Sequence, residues 1–225
     1  MPRLEAAFYF LYGDKEMITK RNKLLVIGLL IVMASTVLTS CSSGARTPRL
    51  ANNAVILAFG DSLTFGTGAT PEESYPAVLE RLVGRRVVNA GVPGEVTGDG
   101  LSRLPQVIDK EKPALLILCH GGNDLIRHLD KQQTAGNLRA MIRSAQDRGV
   151  AVVIISVPSP GLSLSPPPFY REIAGEMNIP FDEKALAMVL SDRSLKSDYI
   201  HPNAVGYRRL AESIAALLIK SGAVQ

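Results

Sequence analysis

The sequence predicts one α/β domain, a parallel sheet covered by helices. Two observations predict it. From about residue 54 onward apolar runs alternate with amphipathic ones, and each apolar run stays apolar along its length, as strands buried on both faces do. Polar clusters then follow three of those runs, where ligands of such sheets bind, outside the carboxyl ends of the strands. With 225 residues and 46% hydrophobic content the chain can bury a sizeable core, which excludes disorder for its bulk.

Taken in order, residues 55–59 form a first strand and residues 75–83 a helix-like stretch. Residues 87–89 form a second strand, followed by an amphipathic stretch at 100–109. A third strand at 114–119 leads to a helix over 134–148, and a fourth strand spans 150–157. This alternation is that of βαβ units. Residues 158–168 hold five prolines without periodicity and read as a long loop. A closing helix over 202–220 places Val205, Leu210, Ile214, Ala215, Leu217 and Leu218 at helical spacing, with Pro202 near its first turn. No internal repeat is present.

The first 40 residues read differently. Lys20, Arg21 and Lys23 precede an apolar run at 24–34, the basic and apolar regions of a secretory signal. That run is about half of the roughly 20 residues a membrane-crossing helix needs. The chain continues Leu38-Thr39-Ser40-Cys41-Ser42-Ser43-Gly44, which resembles the lipobox of bacterial lipoproteins. The resemblance implies cleavage before Cys41, a diacylglycerol on its thiol, and attachment to a membrane of the cell envelope, facing the periplasm or the outside. Ser42 after the cysteine points to outer-membrane sorting in a Gram-negative host. Glu5, Asp14 and Glu16 fit a signal poorly, and translation from Met17 would give a more typical one. The expected organisation is a signal at 1–40, a lipidated tether at 41–53 and a domain at 54–225. Cys119 is then the remaining thiol, so an intramolecular disulfide is excluded in the mature chain.

Charge removes another class. The net charge is +4, but the leader holds five bases against three acids, and elsewhere 20 bases interleave with 18 acids. With only 5% aromatic residues this is not a nucleic-acid footprint.

The polar clusters are Phe59-Gly60-Asp61-Ser62-Leu63-Thr64, Asn89-Ala90-Gly91-Val92-Pro93-Gly94 and Gly121-Gly122-Asn123-Asp124, joined by Asp198-Tyr199-Ile200-His201-Pro202 before the last helix. A serine hydroxyl needs an adjacent base to act as a nucleophile, and a tight turn after a strand exposes its oxygen. Imidazole titrates near neutral pH and suits the base; His201 is placed better than His120, which abuts the third strand, or His128. Asp198, three residues before His201, can reach the other ring nitrogen. Thr64 stands where a G-x-S-x-G elbow would have its last glycine, which disfavours the α/β-hydrolase fold. Gly66-Thr67-Gly68 is too short for a phosphate loop, and three scattered histidines give no metal-ligand spacing, so neither cofactor nor metal is expected. Asp61 and Asp124 read as holders of loop N–H groups, and Cys119 as a small core residue.

Together the four clusters resemble the GDSL, or SGNH, hydrolase family over residues 54–220, in family order and spacing. Within that family the chain looks most like bacterial periplasmic acyl-CoA thioesterase, lysophospholipase and arylesterase proteins, as in Gly100-Leu101-Ser102-Arg103-Leu104-Pro105. The resemblance implies a three-layer, flavodoxin-like parallel sheet flanked by helices. It implies Ser62 as nucleophile, His201 as base, Asp198 as its partner, and Ser62, Gly94 and Asn123 as oxyanion donors. Gly91 competes with Gly94, because one extra residue separates Gly94 from Thr97 relative to the usual spacing. The expected activity is hydrolysis of small-molecule carboxylic esters or thioesters, such as short- to medium-chain acyl esters or lysophospholipids, through an acyl-enzyme, with Leu162 and Leu164 of the proline-rich loop offering an apolar wall. Two alternatives stand beside it, a carbohydrate O-deacetylase and a non-catalytic surface-binding lipoprotein.

Overall fold

The computed structural model describes residues 44–161 and 164–225. The leader, Met17, Cys41, Ser42 and Leu162 lie outside the described residues.

Five strands make one parallel sheet in the order β2-β1-β3-β4-β5: β1 (Ile56–Gly60), β2 (Val87–Gly91), β3 (Leu115–Cys119), β4 (Ala151–Ile155) and β5 (Phe181–Asp182). This is the flavodoxin-like doubly wound order, whose switch point lies between β1 and β3. Every residue of β1 and β3 is buried, which is why both runs are apolar throughout. Gly60 pairs in register with Gly91 on one side and with Cys119 on the other, so three strand ends meet at one level.

The helices are α1 (Ser62–Phe65), α2 (Tyr75–Val83), α3 (Thr97–Glu111), α4 (Gly122–Ile126), α5 (Lys131–Gln146), α6 (Phe169–Glu176), α7 (Ala185–Ser191) and α8 (Ala204–Ser221). Helix α2 packs on α8 and α7 on α8, while α3 packs on α5 and α5 on α6, giving the two outer layers. Their starts are set by side chains. Asp130 caps α5 through Gln133 N at 2.7 Å, and Asn203 caps α8 through Gly206 N at 3.0 Å. Helix α3 begins at Thr97, earlier than its apolar pattern indicates, because Asp124 accepts from Thr97 N at 2.9 Å.

Five elements extend the sequence-based expectation, among them the short helices α1 and α4 that follow β1 and β3. Strand β5 is a two-residue edge strand after Pro180, too short to show a pattern. Helix α6 follows three prolines and buries Phe169, Tyr170, Ile173 and Ala174, and α7 buries Ala185, Leu186, Val189 and Leu190.

Residues 47–50, in the stretch read as tether, pack on the domain's C-terminus. Thr47 N donates to Ser221 O at 3.0 Å and Leu50 N to Ala223 O at 2.9 Å, with Leu50 buried in the core. Among the described residues no helix is long and apolar enough to cross a membrane.

Candidate active site

At the end of β1 the chain turns sharply into α1. Gly60 makes the turn possible, since a Cβ there would stand 1.9 Å from Cys119 O and 2.4 Å from Thr64 Oγ1. Asp61 caps α1, its Oδ1 accepting from Leu63 N at 3.0 Å and its backbone carbonyl from Phe65 N at 3.0 Å. Burial pushes the Asp61 carboxyl above its usual value, more than His120, the Leu63 N–H and His201 hold it down. Ser62 is therefore the first residue of a four-residue helix, where the backbone N–H has no intrahelical acceptor.

The loop between α7 and α8 brings His201 to that serine. Lys196 and Pro202 form an antiparallel bridge, and Ser197 N donates to His201 O at 3.0 Å, closing residues 197–201 into a compact turn. Tyr207 of α8 donates to Thr67 O at 2.8 Å and ties this end of the helix to the loop after α1. His201 Nε2 lies 3.0 Å from Ser62 Oγ, and Nδ1 lies 2.7 Å from Asp198 Oδ2. The other carboxylate oxygen, Oδ1, accepts from Ile200 N and His201 N, each at 2.8 Å. Burial pushes the Asp198 carboxyl up, but the His201 ring and these two N–H groups together hold it below the usual carboxylate value. A carboxylate only accepts, so Nδ1 carries the ring proton and the Nε2 lone pair faces Ser62.

Two further blocks close the site. Asn123, in α4, donates from Nδ2 to Glu95 O at 3.0 Å and to Asp61 Oδ2 at 3.3 Å. Gly94, Asn123, Ser62 and His201 line one cavity of about 600 Å³. Gly91 does not line it: its N–H donates to Asn89 Oδ1 at 3.0 Å, and a Cβ there would stand 2.1 Å from Phe65 N. Gly91 thus lets α1 pack against β2, while Gly94 faces the cavity. Asp61 and Asp124 hold loop N–H groups; Asp124 also accepts from Thr97 Oγ1 at 2.5 Å. Cys119 is fully buried in β3, and burial pushes its thiol well above the usual value. Among the described residues no group of three or more His, Cys, Asp or Glu side chains is placed to hold a metal ion. The far wall of the cavity is apolar, built from Val157, Pro158, Pro160, Leu164 and Leu190 with Ile126.

Sequence reasoning missed a buried polar cluster behind these groups. Glu95 is held by Arg103, whose Nε and Nη2 stand 2.7 Å from its two oxygens, and by His120 Nε2 at 3.1 Å. Burial pushes the Glu95 carboxyl up, but Arg103 and His120 outweigh it and bring it to about 2. The one available signal was the spacing of Glu95 and Arg103, which straddle the first two turns of α3.

A family model described as the GDSL-like Lipase/Acylhydrolase family matches residues 58–209. An arylesterase of Vibrio mimicus is 30% identical over 202 residues, covering 85% of this chain and 99% of that protein. Thioesterase 1/protease 1/lysophospholipase L1 of Escherichia coli K12 is 27% identical over 171 residues, 72% of this chain and 82% of that protein. A crystal structure of TesA superposes with a TM-score of 0.66 at 27% identity, covering 73% of this chain and 97% of that one.

Proposed function

Because the chain belongs to the GDSL-like lipase/acylhydrolase family and is a serine ester hydrolase, we propose that it cleaves short- to medium-chain acyl esters or thioesters through an acyl-enzyme on Ser62. The observation that carries this reading is the Ser62–His201–Asp198 line, 3.0 Å and 2.7 Å, at one end of an apolar cavity. Ser62 Oγ attacks the acyl carbon as His201 Nε2 takes its proton. Asp198 holds the ring and stabilises the imidazolium. The oxyanion is received by the N–H groups of Ser62 and Gly94 and by Asn123 Nδ2, which gives up its longer bond, the one to Asp61. His201 then protonates the leaving alcohol or thiol, and water repeats the sequence to release the acid.

The apolar wall sets the acyl preference. A cavity of about 600 Å³ lies within the range of small-molecule sites. Each methylene moved from water onto that wall is worth about 0.8 kcal/mol, close to fourfold in kcat/KM. For p-nitrophenyl esters hydrolysed by residues 42–225, kcat/KM is expected to rise about fourfold per methylene from acetate until the cavity is filled. A sharp preference for acetate would sink this reading in favour of the O-deacetylase, which the apolar wall does not favour.

Anchoring of the enzyme to a cell-envelope membrane through lipidated Cys41 belongs to the same proposal. It is supported by the Leu38-Thr39-Ser40-Cys41 run and the basic and apolar stretch before it. Residues 47–50 dock at the C-terminal end of α8, whose first turn lies beside His201. The 18 residues of that helix span about 27 Å, so residues 47–50 pack at the end of the helix away from His201. In cells fed an alkyne-tagged palmitate, the full chain should carry the tag and sediment with membranes, and Cys41→Ser should lose the tag and keep its leader while retaining turnover. A tagged Cys41→Ser protein would disprove the anchor.

A further inference from the structure

We propose that Glu95 is a positioning residue, its clamped side chain setting the placement of Gly94 and Asn123 on the far side of Ser62 from His201. The proposal rests on the reading of Gly94 and Asn123 as oxyanion donors.

Glu95 directly follows Gly94 and precedes α3, yet its side chain turns inward and is only 6% exposed. Arg103 grips both of its oxygens at 2.7 Å, and the same guanidinium donates to Ala90 O at 3.0 Å and lies 4.1 Å above the Phe59 ring. His120, at the end of β3, reaches Oε2 through Nε2 at 3.1 Å. Gly121 N donates to His120 Nδ1 at 2.9 Å, so the ring proton sits on Nε2 and points at Glu95. Tyr170 donates to His120 O at 2.7 Å and locks that residue from the opposite side. The Glu95 backbone carbonyl, finally, accepts from Asn123 Nδ2 at 3.0 Å.

The Glu95–Arg103 pair thus joins the ends of β2, β1 and β3: Arg103 reaches Ala90 and Phe59, and Glu95 reaches His120. The neighbour of Glu95 supplies one proposed donor, and the Glu95 carbonyl holds the other. A buried ion pair is weak evidence of a stability role, because well-packed apolar residues usually serve as well. A fully satisfied polar network instead fixes geometry. That is what an oxyanion site requires, since loss of one donor costs about 10²–10³ in kcat and misplacement by about 1 Å costs on the order of 10².

Glu95→Gln separates these roles. The amide matches the carboxylate in shape, but its NH2 group must face Arg103 or His120, both of them donors. His120 cannot change tautomer without turning an N–H toward the Gly121 N–H. The loop carrying Gly94 must therefore shift. For the full chain, kcat on p-nitrophenyl butyrate is expected to fall about 10- to 100-fold. KM and the dependence on acyl length should hold within twofold, because the apolar wall is untouched. In an Asn123→Ala background the same substitution should cost several-fold less than it does alone, since the share of its effect that runs through Asn123 is already removed and only the share through Gly94 remains. The ester-to-thionoester rate ratio, which reports how well the carbonyl oxygen is held, should shrink in parallel. Arg103→Lys, which leaves one donor head in place of a fork, gives a milder loss with the same suppression and serves if Glu95→Gln does not fold. A folded Glu95→Gln enzyme with unchanged kcat, or a loss undiminished in the Asn123→Ala background, overturns the proposal. If Asn123→Ala alone leaves kcat unchanged, it is the oxyanion assignment that has failed.

Discussion

Ser62→Ala lowers kcat on a p-nitrophenyl ester by about 10⁴- to 10⁶-fold, and His201→Ala falls within about tenfold of it. The expectation follows from the 3.0 Å contact between Oγ and Nε2. Without the hydroxyl no acyl-enzyme forms; without the ring the hydroxyl keeps its proton and is inert at neutral pH. Because the two groups act as one unit, the double variant should be no slower than either single variant beyond a few-fold. What remains is the residual rate supplied by binding and by the oxyanion donors. The fold should be indifferent. The α1 turn is held by Asp61 and Gly60, and among the described residues the Ser62 side chain is bonded only to His201, so unfolding free energy should move by less than about 1 kcal/mol. Steady-state kinetics with an active-site titration and a thermal melt check this. Turnover retained in both variants would transfer the chemistry to another residue; a collapsed melt would mean that the loss of activity says nothing about mechanism.

Much of this architecture could be read from local pattern. Strands β1 and β3 are apolar at every position because both faces are covered, and a run such as Leu115-Leu116-Ile117-Leu118-Cys119 has few other interpretations. The pairing of His201 with Asp198 was legible because the two stand three positions apart in one turn. The boundary of α3 was not, because its cap is Asp124, 27 residues away, and no local rule anticipates it. Strand β5 escaped for a similar reason: two edge residues after a proline carry no periodicity, and their place is set by β4. The Glu95 cluster was the largest omission. Glu95, Arg103 and His120 look unremarkable one by one, an acid before a helix, a base on it, and a histidine at a strand end. Only the parallel sheet, by bringing the ends of β2 and β3 to either side of β1, turns them into a single network.

Asp198→Asn should be nearly as damaging as loss of the base, and the reason is directional. Asp198 Oδ1 accepts from two backbone N–H groups, those of Ile200 and His201, at 2.8 Å each. An asparagine at this position keeps its carbonyl oxygen there, since its NH2 group would otherwise face two donors. The NH2 is then directed at His201 Nδ1, which must become an acceptor. The ring proton moves to Nε2, and the face turned toward Ser62 Oγ has no lone pair with which to take the hydroxyl proton. A buried carboxylate in this role is worth about 10⁴ in kcat. Here the side chain of Asp198 is 50% exposed while that of His201 is 14% exposed, so water can solvate part of what the carboxylate supplied. The expected fall is therefore about 10²–10⁴, with KM within twofold because the acyl wall is not involved. Asp198→Ala tests the direction of the argument: it removes the carboxylate without imposing the wrong tautomer, and should retain more activity than Asp198→Asn. The reverse order would mean that the bonds from the Ile200 and His201 N–H groups matter more than the tautomer, equal losses would mean that Asp198 acts by its charge alone, and an Asp198→Asn enzyme as fast as the parent would remove it from the mechanism.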